Sequence, residues 1–213
     1  MKTITAKHIP SLETMTDEAL FAALNTEAEE NPLACVNWKE FPYAPEIRFH
    51  IAFSEKALAI LYKVKEDHVL GTVMEQNGPV WEDSCVETFI ENPVGEGYYN
   101  FEITCIGTKL AAKRKSKTDF AHFDAEKMDR IRCFTSLPHE PVNSECQGQE
   151  WWMAEVIPFE LIGLDKAPES LRCNFYKCGD NCSQVHFLSW SEIDLPSPNF
   201  HCPEFFGTVL LEA

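Results

Sequence analysis

The chain predicts an all-β fold, a β-sandwich of jelly-roll-like architecture and immunoglobulin-like size with a short N-terminal helix. Three observations predict it. Ile47, Phe49, Ile51 and Phe53 alternate with Arg48, His50 and Ala52, and Leu58, Ile60, Tyr62 and Val64 then alternate with Ala59, Leu61 and Lys63. Period two is the mark of strands. The stretch from Pro79 to Leu110 reads as a hairpin, with two alternating runs around a Pro- and Gly-bearing turn from Asn92 to Gly97. Further short strands follow to the C-terminus, separated by turn residues. The expected count is about nine strands with little helix, the pattern of a sandwich or jelly roll.

In chain order, residues 1–16 are mixed and extended. Thr16 can N-cap a helix from Glu18 to about Glu29, with Asp17 and Glu18 suiting the helix dipole, and Asn31-Pro32 ends it. Val36 to Pro45 is rich in proline and aromatics, and Trp38 there reads as a core or edge plug. Ser54-Glu55-Lys56 turns between the first two strands. In the hairpin, Val86, Thr88 and Ile90 share one face and Cys85, Glu87 and Phe89 the other; Tyr99, Phe101, Ile103 and Cys105 oppose Asn100, Glu102 and Thr104. Pairing therefore sets Glu87, Asn100 and Glu102 together on one sheet face, with Trp81 and Glu82-Asp83 at its rim. Lys113-Arg114-Lys115-Ser116-Lys117 is a basic cluster, read either as a solvated loop or as a phosphate or polyanion site. Asp124 to Arg130 is a short helix, Ile131 to Phe134 a strand, and Pro138 to Gln149 a loop. Trp151 to Pro158, Cys173 to Cys178, Val185 to Trp190 and Phe206 to Leu211 are strands. Phe159 to Leu164 is a turn of helix, and Pro196 to Pro203 a proline-rich loop.

At 213 residues and 24.3 kDa the chain is expected to be one domain, a core from about residue 45 behind an N-terminal extension of residues 1–44. Its 45% hydrophobic content suffices for a packed core, and a net charge of −16 opposes nucleic acid and anionic membrane surfaces. No apolar run approaches the length of a membrane-spanning helix. The start MKTITAKHIP lacks the apolar region of a secretory signal. Nine cysteines, an odd and irregularly spaced set, fit reduced thiols in a cytoplasmic setting, with an extracellular or periplasmic location the alternative if a leader has been removed. A monomer is expected.

Three sets of residues carry candidate chemistry. Trp81 and Trp190 each sit at a strand end; they are either core tryptophans or a pair of indole faces able to grip a sugar ring. Glu87 and Glu102 are either the acid and base of a glycoside hydrolase or acceptors for sugar hydroxyls. Cys178 and Cys182, with Asp180, His186, His201 and Cys202 near in sequence, are loosely zinc-like, but the spacing fits buried or loop thiols better. No phosphate-binding Gly-rich loop, nucleophile elbow or H-E-x-x-H motif is present.

An ordered set of segments resembles the family 9 carbohydrate-binding modules, in the branch found in Bacteroidetes-type proteins. The segments are VWEDSCVETFI from Val80, YYNFEI from Tyr98, Trp152 to Pro158, NFYKCGD from Asn174, Leu188-Ser189-Trp190, and FHCPEFFG from Phe200. The resemblance implies a β-sandwich that binds sugars without cleaving them. It implies Trp81 and Trp190 as the two rings that sandwich a terminal sugar, with Glu87 at the family's acidic position and Glu102 where other members carry a basic contact. The expected site is thus Trp81, Trp190, Glu87, Asn100, Glu102 and Lys177. The resemblance further implies structural calcium and association with glycoside hydrolases.

Overall fold

A computed structural model describes residues 2–212. Strands β1 (Thr3–Thr5) and β2 (Lys7–His8), helix α1 (Asp17–Glu27), and strands β3 (Glu30–Pro32) and β4 (Cys35–Val36) precede the long pair β5 (Glu46–Phe53) and β6 (Ala57–Gly71). Next come β7 (Cys85–Glu91), β8 (Tyr98–Thr104), β9 (Lys109–Arg114) and β10 (Phe120–His122). After α2 (Ala125–Arg130), the strands β11 (Arg132–Thr135), β12 (Val142–Pro158), β13 (Ser170–Cys178), β14 (Phe187–Ser189) and β15 (Gly207–Leu210) complete the chain.

These strands form two sheets, as the alternation requires. One runs β1-β15-β13-β7-β8-β9-β10, with β14 bridging β13 to β4; the other runs β11-β12-β6-β5-β2, with β3 on β5. Between them lies the main core, where Ile47, Phe49, Ile51, Tyr62 and Met153 meet Val86, Phe101, Ile103, Phe175 and Trp190. The outer face of the second sheet is paved with Ala52, Ala57, Ala59 and Ala154. Their small side chains let Leu20 and Leu24 of α1 approach closely. Thr16 caps that helix, its Oγ1 accepting from the Ala19 amide at 3.3 Å.

Several boundaries differ from the sequence reading. Residues 1–44 are more than an extension, since β1 pairs with β15, β2 and β3 with β5, and β4 with β14. Such two- and three-residue strands are too short to show alternation, which is why about nine strands were expected and fifteen form among the described residues. The expected loop from Pro138 to Gln149 is mostly the start of β12. Its polar residues pair with the far half of β6, and the register shifts between Glu145 and Gln149. The basic cluster begins inside β9 rather than in a loop.

The hairpin at the centre of the chain forms as expected. β7 and β8 pair with Glu87 opposite Glu102 and Phe89 opposite Asn100. β9 adds on with Leu110 opposite Glu102 and Arg114 opposite Tyr98, and β13 flanks the other side with Cys178 opposite Cys85. One face of these four strands thus carries Cys85, Glu87, Asn100, Glu102, Leu110, Arg114 and Cys178, turned away from the inter-sheet core.

Candidate functional site

That outer face floors a pocket of about 490 Å³, within the usual range for ligand sites. Glu87 and Glu102 lie at its base with Cys178. Trp81 stands at its rim, and Leu110, Phe120, Phe187 and Phe200 give it apolar walls. Trp81 owes its position to a single 3-10 turn, Val80–Glu82, in which Val80 is buried and anchors the turn. The loop after β13 secures the turn from behind: the Asp180 amide donates to the Trp81 carbonyl at 3.2 Å and the Asn181 amide to that of Glu82 at 2.9 Å. Gly179 lets the loop fold tightly on itself, because a Cβ there would lie 2.7 Å from Cys182 Sγ and 2.8 Å from His186 Cε1. The indole is left 39% exposed.

The polar floor is held by hydrogen bonds. Arg114 Nε donates to Asn100 Oδ1 at 2.8 Å, and Asn100 Nδ2 donates to Glu102 Oε1 at 2.6 Å. Arg114 also donates to the Lys117 carbonyl at 3.0 Å and lies 4.1 Å from the Phe120 ring centre. Burial raises Glu102 to about 7 against the pull of Asn100 and Arg114. Burial, reinforced by Cys178 and Glu102, pushes Glu87 well above the usual carboxylate range. Asp180, which also lines the pocket, rises to about 6 through burial and the nearby Glu82. His201 falls to about 3 through burial and the charges of Arg114 and Lys117, so it is a neutral imidazole, its Nδ1 2.9 Å from the Tyr98 hydroxyl.

The structure brings Trp81, Glu87 and Glu102 together at the pocket, with Asn100 beneath them as the link between Arg114 and Glu102. Two expected site residues lie elsewhere. Trp190 is 2% exposed and sits in the inter-sheet core, its ring centre 5.4 Å from that of Phe175 and 6.3 Å from that of Phe49. It is on the opposite side of the sheet from Trp81 and cannot form the second wall of a sugar clamp. Lys177 follows Tyr176 and precedes Cys178, so strand alternation turns it inward. Its Nζ donates to Glu66 Oε2 at 2.9 Å, His186 Nε2 at 2.7 Å and the Cys178 carbonyl at 2.8 Å, in a fully buried ion pair.

Sequence reasoning missed Arg114, Asp180, Phe187 and His201 as parts of one pocket. For Arg114 the signal was present: Leu110, Ala112 and Arg114 keep period two, which marks a strand face rather than a loop. Asp180 and His201 come from loops and Phe187 from the three-residue strand β14, and the convergence of such pieces has no periodic signature.

Calcium, implied by the family resemblance, does not suit the cluster of donors at the pocket floor, which holds two sulfurs and one carboxylate. Among the described residues, the set of three convergent His, Cys, Asp or Glu donors is Cys85, Glu87 and Cys178. Calcium takes about six to eight oxygen ligands. The looser zinc-like set does not assemble either. His186 Nε2 accepts from Lys177, its Nδ1 is 2.8 Å from the Gln184 carbonyl, and Cys182 Sγ is 3.7 Å from Ser84 Oγ.

A β-sandwich with a ligand-sized pocket on one sheet face, walled by aromatics and floored by buried carboxyls, is the architecture of a small-molecule binding module. The chain belongs to carbohydrate-binding family 9, whose model matches residues 17–211. A candidate carbohydrate-binding protein from Bacteroides uniformis ATCC 8492 is 36% identical, with 99% of each chain covered and a TM-score of 0.93. A family 9 module from Caldicellulosiruptor kristjanssonii was solved with glucose and with cellotriose. The glucose complex is 16% identical to this chain, covering 99% of it and 96% of the module, with a TM-score of 0.60. The cellotriose complex is 15% identical, covering 99% and 94%, with a TM-score of 0.61. These two establish likeness of fold. No curated protein matches the chain.

Proposed function

We propose that this protein binds the end of a carbohydrate chain in the pocket, without cleaving it. The observation that carries the reading is the pairing of an exposed indole, Trp81, with the buried Arg114–Asn100–Glu102 chain in a pocket closed at its base, in a chain of carbohydrate-binding family 9. An indole face suits the C–H face of a sugar, and the Glu87 and Glu102 carboxyls suit its hydroxyls. Asn100 is a positioning residue that acts through Glu102. Phe187 or Phe200 serves as the second apolar wall. Modules of this family are non-catalytic, and the role proposed here is in carbohydrate catabolism, beside glycoside hydrolases. The nine free thiols suit a reducing, cytoplasmic setting, with the module working as a monomer.

The test is a glycan array followed by titration of glucose and cello-oligosaccharides, read by tryptophan fluorescence. Wild type is expected to bind at least one glycan through its terminal residue, and Trp81→Ala to lose that binding. Absence of binding to any glycan would refute the proposal. Turnover of an oligosaccharide that vanishes in Glu87→Gln would replace it with a hydrolase.

A further inference from the structure

We infer that the floor of the pocket is a binding site for a thiophilic metal ion of the zinc class, held by Cys85, Cys178 and Glu87. Cys85 and Cys178 face each other across the β7–β13 ladder. Glu87 is two residues from Cys85 and so projects from the same face. The two sulfurs and a carboxylate oxygen all lie within 4.8 Å of one another, and Cys178 Sγ is 3.0 Å from Glu87 Oε1. Around one tetrahedral zinc, with Zn–S of about 2.3 Å and Zn–O of about 2.1 Å, donors sit about 3.5 Å apart, so small side-chain rotations close the set.

Two further features suit a metal. The donors are buried, yet Glu87 and Cys178 line the open pocket, which supplies the path of entry. Three protein donors leave a fourth position that opens on the cavity, where water or a ligand hydroxyl fits. Two thiols with one carboxyl select soft or borderline cations over calcium or magnesium. In the metal-free protein burial keeps both thiols protonated. Binding displaces the two thiol protons and the proton of the raised Glu87 carboxyl to solvent, and joins two thiolates and one carboxylate to the dication. This site does not depend on the sugar-binding reading.

The experiment is titration of Co2+ into reduced, chelator-stripped full-length protein under nitrogen. The expected result is a thiolate-to-cobalt charge-transfer band that saturates at one equivalent and is erased by one equivalent of Zn2+. Ca2+ should have no effect. Cys178→Ser and Cys85→Ser should lose the band, and Glu87→Gln should weaken binding at least tenfold. Cys146→Ser, which alters an exposed thiol on β12, should leave both unchanged. Should the cysteine variants fail to fold, Glu87→Gln and the rise in wild-type melting temperature with Zn2+ but not Ca2+ decide the matter. Three results overturn the proposal: no band at one equivalent, a band that survives in Cys178→Ser, or a Cys85–Cys178 disulfide in protein purified under reductant.

Discussion

Replacing each of two tryptophans by alanine separates the pocket from the core. Trp190 is 2% exposed and wedged between Phe175 and Phe49. Its ring also presses on the last strand, since a Cβ on Gly207 would fall 2.5 Å from it. Truncating a side chain so enclosed leaves a cavity and costs about 3–5 kcal/mol. For a domain of this size that lowers the melting temperature by about 6–20 °C. Trp81, 39% exposed on a single 3-10 turn, packs less, and its loss should cost about 1 kcal/mol or less, a fall of about 4 °C at most. Its effect appears in binding instead. A tryptophan that stacks on the ligand carries about 2 kcal/mol, a weakening of about thirtyfold on truncation. The assay is thermal unfolding of both variants with sugar titration at a temperature where each is folded. The reasoning fails if Trp190→Ala melts like wild type and loses sugar affinity, because that would put the indole in the site after all.

Gly207→Ala should cost about 1–3 kcal/mol in urea unfolding, because the new Cβ would also meet the Lys2 carbonyl at 2.7 Å and neither the ring nor that backbone has room to move; an unchanged midpoint would contradict this. Lys177→Met strands buried Glu66 without its cation and should cost about 3–5 kcal/mol, while sugar affinity of the folded fraction stays unchanged; lost affinity at intact stability would return Lys177 to the site. Glu155 is buried between the sheets, accepts from Thr88 Oγ1, and is raised by burial to about 8. Its folded value lies above its unfolded one, so its favourable contribution is complete below about pH 4.3 and is lost as pH rises towards 8, by about 1.4 kcal/mol per pH unit. Glu155→Gln should therefore flatten the decline in unfolding free energy between pH 5 and 8, and a decline as steep as that of wild type would refute the assignment.

The two main hairpins were legible because Ile47 to Val64 and Cys85 to Thr104 alternate cleanly. So was the helix that Thr16 caps. Alternation identifies two faces of a strand but not which face the second sheet will cover. On the β7–β8 hairpin it grouped Glu87, Asn100 and Glu102 correctly. On β13 it was not applied to Lys177, whose odd–even partner Cys178 lies on the pocket side. Both faces of this sheet are buried, one by the second sheet and one by Phe187 at the start of β14 and by loops bearing Trp38 and Phe200. Hydrophobicity therefore gave no sign of which face held the site. Trp190 was misplaced for a related reason. It follows β14, and its amide donates to the Phe175 carbonyl at 2.8 Å, which fixes its backbone against β13 and leads its ring into the core; a strand end read from sequence carries no such direction.

The division of polar residues between the two faces explains how one sheet can be both rigid and receptive. On the inner face, Lys177 reaches Glu66 and Thr88 reaches Glu155, so these two buried polar side chains are answered by two from the other sheet. Pairings of that kind fix how the sheets register, because a slip of one residue would leave a buried charge unanswered. On the outer face the acids outnumber their partners. Glu87, Glu102 and Asp180 share the pocket with two cations, the buried Arg114 and the exposed Lys117, and burial raises all three carboxyls. Such groups are held by strands and turns that do not need to move, and their hydrogen-bonding capacity is not used up within the protein. A ligand rich in hydroxyls, or a cation, supplies the missing partners without reordering the chain, and preorganisation of that kind is where affinity is gained most cheaply.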